Sequence, residues 1–350
     1  MRQTKRRQAD LIIGIGTRYT DFATSSKTAF DFDKAKFLNI NVSRMQAYKL
    51  DAFQVVADAK VTLGKLHGLL EGYESEFGTT IRELKDEWLA ERERLSKVTF
   101  KREAFDPEIK HHFSQEVLNE YADALNTELP QTTALLTINE TIPEDSVIIC
   151  SAGSLPGDLR RLWHSNVPNT YHLEYGYSCM GYEVSGTLGL KLYSTLTEKC
   201  IQSSEMAGFL MLHSELITAI QYNKKINVLL FDNSGFGCIN NLQMDHGVAA
   251  YYCEFRTDDN QILNVDYAKV AEGYGAKTYR ANTVEELKAA LEDAKKQNVS
   301  TLIEMKVLPK TMTDGYDSWW HVGVAEVSEQ ESVQKAYEAK EKKLESAKQY

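Results

Sequence analysis

The sequence predicts an α/β protein: a doubly wound parallel sheet preceded by part of a second α/β domain. Three observations carry that prediction. Short apolar runs of strand length, Ser146-Val-Ile-Ile-Cys150, Ile226 to Phe231 and Thr301 to Leu308, alternate with longer stretches of helical periodicity. Two of these runs break off into small-residue loops, Ser151-Ala-Gly-Ser154 and Asn233-Ser-Gly-Phe-Gly237, as strands do where their carboxyl ends open on a ligand crevice. The 350 residues, 43% hydrophobic and 26% charged, are enough for one large domain or two ordinary ones.

Taken in order, residues 10–16, Asp-Leu-Ile-Ile-Gly-Ile-Gly, read as a buried strand ending in a glycine turn. A lone Gly-x-Gly is a weak phosphate signal, so Gly14-Ile-Gly16 reads as a tight turn. Phe37 to Val42 is a second short strand, and Ala52 to Leu70 has helical periodicity. These roughly 70 residues fall short of a usual domain of ~100, so the chain is expected to start inside one. Residues 79–104 predict an exposed connecting helix, and 112–128 an amphipathic helix stopped by Pro130. Met180 to Leu190 is a small-residue helix, Phe209 to Tyr222 an amphipathic one, and the tail beyond Val327 a charged one.

The composition excludes several function classes. A net charge of -10 opposes general affinity for nucleic acid or anionic lipid. The basic start (Arg2, Lys5, Arg6, Arg7) reads as a solvated end. No run reaches membrane-span length and no signal peptide opens the chain, so the cytoplasm is the expected location. The cysteines (Cys150, Cys179, Cys200, Cys238, Cys253) lack metal-ligand spacing, and Cys150 reads as a small buried hydrophobe. His111-His112 reads as surface.

The chemistry concentrates at Val228-Leu-Leu-Phe-Asp-Asn-Ser-Gly-Phe-Gly237. An amide oxygen at a strand end, followed by bare backbone at Gly235, suits a magnesium ion bridging to a diphosphate, because hard cations take oxygen ligands. Together with Ser151-Ala-Gly-Ser-Leu-Pro-Gly157, Glu174-Tyr-Gly-Tyr-Ser-Cys-Met-Gly-Tyr182, Phe209-Leu-Met-Leu-His-Ser-Glu215 and Ser318-Trp-Trp-His321, this segment resembles the thiamine diphosphate-dependent enzymes. The resemblance is nearest to their C–C hydrolases that open a cyclic trihydroxy-dione in inositol catabolism, and it runs over nearly the whole chain. It implies a partial central domain over 1–75, a helical linker over 76–130, a diphosphate- and magnesium-binding domain over 131–325 and a charged tail over 326–350.

Residue by residue, the resemblance implies that Asn233 and Gly235 bind magnesium through side-chain and backbone oxygens. It implies that Ser154 and Leu155 line the diphosphate, that the Ser178 carbonyl accepts from the cofactor's amino group, and that Met180 props the bent cofactor. His172, His213, His246 and His321 are proton-transfer candidates, each equally readable as structural, and none is assigned as catalytic. Asp245-His246 is the most suggestive of these by position. Partners implied are a small cyclic dione and a second subunit, since intact relatives are at least homodimeric.

Two departures stand out. The family's pyrimidine-binding domain has no counterpart in this chain. The family's Gly-Asp-Gly, whose aspartate is a metal ligand, should fall near Met206, where the chain reads Tyr193-Ser-Thr-Leu-Thr-Glu-Lys-Cys-Ile-Gln-Ser-Ser-Glu-Met-Ala-Gly208. That segment is polar and shows no buried strand. Back-translating Leu196 to Ala207 and reading one base earlier yields Pro-Asp-Arg-Glu-Val-Tyr-Ser-Ile-Val-Gly-Asp-Gly, so a reading-frame slip between two compensating indels is expected. The chain then reads as the C-terminal portion of such a hydrolase, inactive alone. A non-catalytic degenerate fragment or interaction module, and an acetolactate synthase-like carboligase, remain as alternatives.

Overall fold

The computed structural model describes residues 9–75, 77–174, 176–193, 200–316 and 318–348; the basic start with Arg2, Lys5, Arg6 and Arg7 lies outside these. The chain forms two compact units, one from residues up to Leu89 together with Gly315 onward, the other from Ala90–Asp314.

In the first unit three parallel strands, β1 (Leu11–Ile15), β2 (Lys36–Asn41) and β3 (Phe53–Val56), lie in that order. Ile13 pairs with Leu38 and Ile40 with Val55. Ala35, Phe37, Leu50 and Ala52 form its core, with Tyr19, Phe30 and Phe32 packed against them. Two expectations need correction here. β1 is an edge strand, not a buried one, and Leu11, Ile13 and Ile15 are exposed. The periodic run from Ala52 splits: Phe53–Val56 joins the sheet, and the helix Ala59–Leu69 starts only after Asp58, whose Oδ1 accepts the Val61 N–H at 2.9 Å. Gly16 turns with φ +64° and donates its N–H to the Ile40 carbonyl at 2.9 Å, a tight turn as read.

The second unit is built on six parallel strands. They are β4 (Val147–Cys150), β5 (Tyr171–Leu173), β6 (Cys200–Glu205), β7 (Asn227–Asp232), β8 (Lys277–Arg280) and β9 (Thr301–Lys306), in the order β5-β4-β6-β7-β9-β8. From β4 the chain steps outward to β5 through the helix Ser154–Leu162, then crosses back to β6 through Tyr182–Tyr193. Right-handed crossovers travelling in opposite directions put their helices on opposite faces. The packing agrees: Leu188, Phe209, Leu216 and Tyr267 share one buried cluster, while Gln131–Thr141 packs on Val284–Lys296 and Ser154–Leu162. This is a doubly wound α/β sheet, and its winding direction reverses between β4 and β6.

β6 corrects a third expectation. The polar stretch read as lacking a strand is an inner strand, with Val147 opposite Cys200, Ser203 opposite Leu229 and Glu205 opposite Phe231. Ladder pairing to β4 and β7 satisfies its backbone whatever its side chains are. Ser203, Ser204 and Glu205 are all buried; Ser204 and Glu205 find hydrogen-bond partners, but the Ser203 hydroxyl has none among the described residues. The helix expected from Phe209 begins at Met206 and breaks after Leu212, resuming at Glu215–Gln221.

Candidate cofactor site

In an open α/β sheet the ligand crevice lies beyond the carboxyl ends of the strands where the winding reverses. Here that point falls at the ends of β4 and β6, and the loop Ser151–Ser154, Glu205 and the β7 loop meet there. Gly153 has φ +109°, a conformation suited to glycine. A Cβ built on it would lie 2.4 Å from Glu205 Oε2, so only bare backbone approaches this carboxylate. Glu205 Oε1 accepts from Ser154 Oγ at 2.5 Å and from the Leu155 N–H at 2.7 Å. These are donors of the first turn of Ser154–Leu162, where a helix presents unpaired N–H groups and positive potential. Burial pushes the Glu205 pKa up, while the Ser154 and Leu155 donors pull it down.

Asn233 stands one residue past β7 and is buried, yet its side chain has no hydrogen-bond partner among the described residues. The preceding Asp232 fixes the turn: its Oδ1 accepts the Ser234 N–H at 2.8 Å and its Oδ2 accepts from Lys306 Nζ at 2.5 Å. A short bridge then ties Gly235 to Glu254 through the neighbours' groups, Ser234 O to the Phe255 N–H and the Phe236 N–H to Cys253 O, which leaves the Gly235 carbonyl out of the pairing. A Cβ on Gly235 would lie 2.4 Å from the Cys253 carbonyl. Asn233, Gly235, Gly237, Glu254, Lys310 and Met312 are among the residues lining one cleft.

Lys310 was missed by the sequence reading. It is buried at φ +65°, donates to the side-chain oxygens of Asn240 and Asn241 (2.7 Å to the latter), and stands 4.6 Å from the Phe113 ring centroid. Burial lowers its pKa to about 8 against the pull of Glu254 and Asp245. Also missed were Glu183, which accepts from Ser151 Oγ and from Ser204 Oγ at 2.6 Å, and Asp158, buried beneath the same loop.

The remaining candidates lie on segments other than the β4, β6 and β7 ends. Ser178 (φ +56°) and Met180 (39% exposed) lie in the loop after β5, shaped by Glu174, which accepts the N–H groups of Tyr177 and Cys179 at 3.0 and 3.1 Å. Neither has a hydrogen bond to the Ser154 and Asn233 groups among the described residues. His172 faces the Asn169 carbonyl at 3.0 Å, and His213 Nδ1 contacts the Tyr274 hydroxyl at 2.7 Å. His246 Nδ1 lies 2.6 Å from the Leu242 carbonyl of the helix Gly237–Asp245 that it caps, and His321 stacks on Trp319. His111 is exposed as expected, but His112 is not a surface residue: its side chain is 8% exposed and pairs with Asp245 at 2.8 Å. Cys150 is a buried thiol whose pKa burial raises well above its ordinary value.

Residues 151–305 match the family described as thiamine pyrophosphate enzyme, C-terminal TPP binding domain. The chain is 94% identical over 344 residues to the 3D-(3,5/4)-trihydroxycyclohexane-1,2-dione hydrolase of Bacillus subtilis (strain 168), covering 98% of this chain and 54% of that protein. The proteins of the same name from Halalkalibacterium halodurans and Listeria monocytogenes serovar 1/2a are 76% and 64% identical, again over 98% of this chain and 54% of each relative. The chain thus spans about half the length of the curated relatives it matches. Among the described residues no helix is long and apolar enough to cross a membrane. Over residues 151–305 the chain is thus similar to the C-terminal cofactor-binding domain of the thiamine pyrophosphate enzymes.

Proposed function

We propose that this chain supplies the cofactor-binding portion of a thiamine diphosphate-dependent hydrolase that cleaves a C–C bond of a cyclic trihydroxy-dione, and that it is silent as written. The observation that carries this reading is the approach of Ser154 and Asn233 to each other beside Gly237, at the reversal point of a sheet whose sequence matches the dione hydrolases. The Asn233 amide and the Gly235 carbonyl fit a magnesium ion, which binds through few protein oxygens plus phosphate. The cradle does not fit the diphosphate, because the Glu205 carboxylate already takes its donors. No three acidic, histidine or cysteine side chains form a metal cluster among the described residues.

The same reading keeps the frame slip over Leu196–Ala207. A polar inner strand whose Ser203 hydroxyl has no partner among the described residues, in a sheet whose neighbours read Val-Ile-Ile-Cys and Asn-Val-Leu-Leu-Phe-Asp, supports it. Sequencing the source DNA from upstream of Met1 through Phe209 tests it directly, and an unbroken frame encoding Tyr193 to Gly208 as they stand in this chain would refute it. For the activity, a protein of the relatives' full length with Gly-Asp-Gly at 205–207 should open trihydroxycyclohexane-1,2-dione. The same protein with this chain's 196–207 should not. Turnover of pyruvate in place of the dione would replace the hydrolase reading with the carboligase.

A further inference from the structure

We infer that the Glu205 carboxylate occupies the anion position of the crevice, so that the chain carries an internal competitor for any diphosphate entering beside Asn233. The inference rests on reading the crevice as a diphosphate site. Three observations support it. Glu205 Oε1 holds both the Ser154 hydroxyl and the Leu155 N–H, the donors that a phosphate oxygen at this helix start would take. Gly153, φ +109°, brings bare backbone against the other carboxylate oxygen, the kind of close approach a phosphate also requires. Across the crevice Asn233 is buried with its amide unpartnered among the described residues, and a Cβ on Gly237 would lie 2.8 Å from Asn233 Nδ2 and 3.7 Å from Ser154 Oγ. The donors on one side are therefore filled by the chain itself, while the amide on the other side is free to bind.

Sequence position explains how a side chain comes to be there. With the expected metal aspartate at 206, the first glycine of Gly-Asp-Gly falls at 205. A glycine leaves this space empty; a glutamate at the carboxyl end of β6 reaches across to the β4 loop. The residue at 206 does not compensate, because Met206 is fully buried in the cluster with Leu188, Phe209 and Tyr267. Glu183, beneath the same loop, is committed to Ser151 and Ser204. Two anions sharing these donors in a buried crevice repel strongly, since low dielectric magnifies their interaction.

Calorimetric titration of the full chain, Glu205→Ala and Glu205→Gln with magnesium thiamine diphosphate and with inorganic pyrophosphate tests the inference, with circular dichroism as the folding control. Glu205→Ala should bind both probes at least tenfold tighter than the unaltered chain. Glu205→Gln, which keeps the shape and loses the charge, should fall between them and carries the test alone if Glu205→Ala does not fold. Tighter pyrophosphate binding without thiamine diphosphate binding would uphold the internal competitor and reject the cofactor reading. Equal thiamine diphosphate binding by all three proteins would overturn the competitor and leave the cofactor reading standing. Weaker binding by Glu205→Ala would make Glu205 a ligand rather than a competitor, and no binding of either probe by any protein would also overturn the inference.

Discussion

At the scale of single residues, Asp158 is ionised at a cost. Burial outweighs the donors from Thr313, Gln131 and the nearby Arg161, and raises its pKa from 3.8 to about 6. Between those values the folded chain holds a proton that the unfolded chain has released. Stability therefore falls as pH rises across that window, by ~1.4 kcal/mol per unit and about 3 kcal/mol in all. Asp158→Asn should flatten this slope, read as urea midpoints at several pH values; an unchanged slope would show that Asp158 ionises freely in the fold. Met206 gives a second residue-scale prediction. Its side chain is fully buried, and the Tyr267 hydroxyl lies 3.5 Å from its sulfur. Met206→Asp alone puts a carboxylate into that apolar cluster and should cost ~3–5 kcal/mol without creating magnesium binding. Urea unfolding and a magnesium titration check both halves. An aspartate at 206 serves a metal only when the strand around it is exchanged as well.

At the scale of elements, the carboxyl ends of β7 and β9 are tied by one buried cation. Lys306 Nζ lies 2.5 Å from Asp232 Oδ2 and 2.7 Å from Glu304 Oε1, and donates to the Val265 carbonyl at 2.5 Å. Glu304 in turn accepts the N–H groups of Tyr267 and Ala268 at the start of the helix Tyr267–Gly273. Lys306→Met strands two buried carboxylates and should destabilise the chain by ~3–5 kcal/mol, loosening the Asn233 turn with it. Hydrogen exchange at Ser234 and Phe236 would show whether that turn opens. β4, β7 and β9 were legible in the sequence because strands covered on both faces read as unbroken apolar runs. β5 (Tyr-His-Leu) and β8 (Lys-Thr-Tyr-Arg) were not, since edge strands face solvent and lose that pattern. β6 was misread because partners distant in sequence, not its own residues, make it a strand. The site divides in the same way. Asn233, Gly235 and Ser154 follow strand ends and could be read directly, whereas Glu205, Lys310 and His112 gain meaning only through contacts with distant residues.

At the scale of the whole molecule, a sheet of sound topology carries one block that does not match its surroundings. The winding, the two helix layers and the Asn233 turn build a crevice at the carboxyl ends of β4, β6 and β7, and Glu205 fills one side of it by taking the Ser154 and Leu155 donors. The most direct measurement is magnesium pyrophosphate binding by the chain as written and by the same chain carrying Pro-Asp-Arg-Glu-Val-Tyr-Ser-Ile-Val-Gly-Asp-Gly at 196–207. Saturable, magnesium-dependent binding by the exchanged chain alone is the predicted result. Equal binding by both chains, or by neither, would contradict the account.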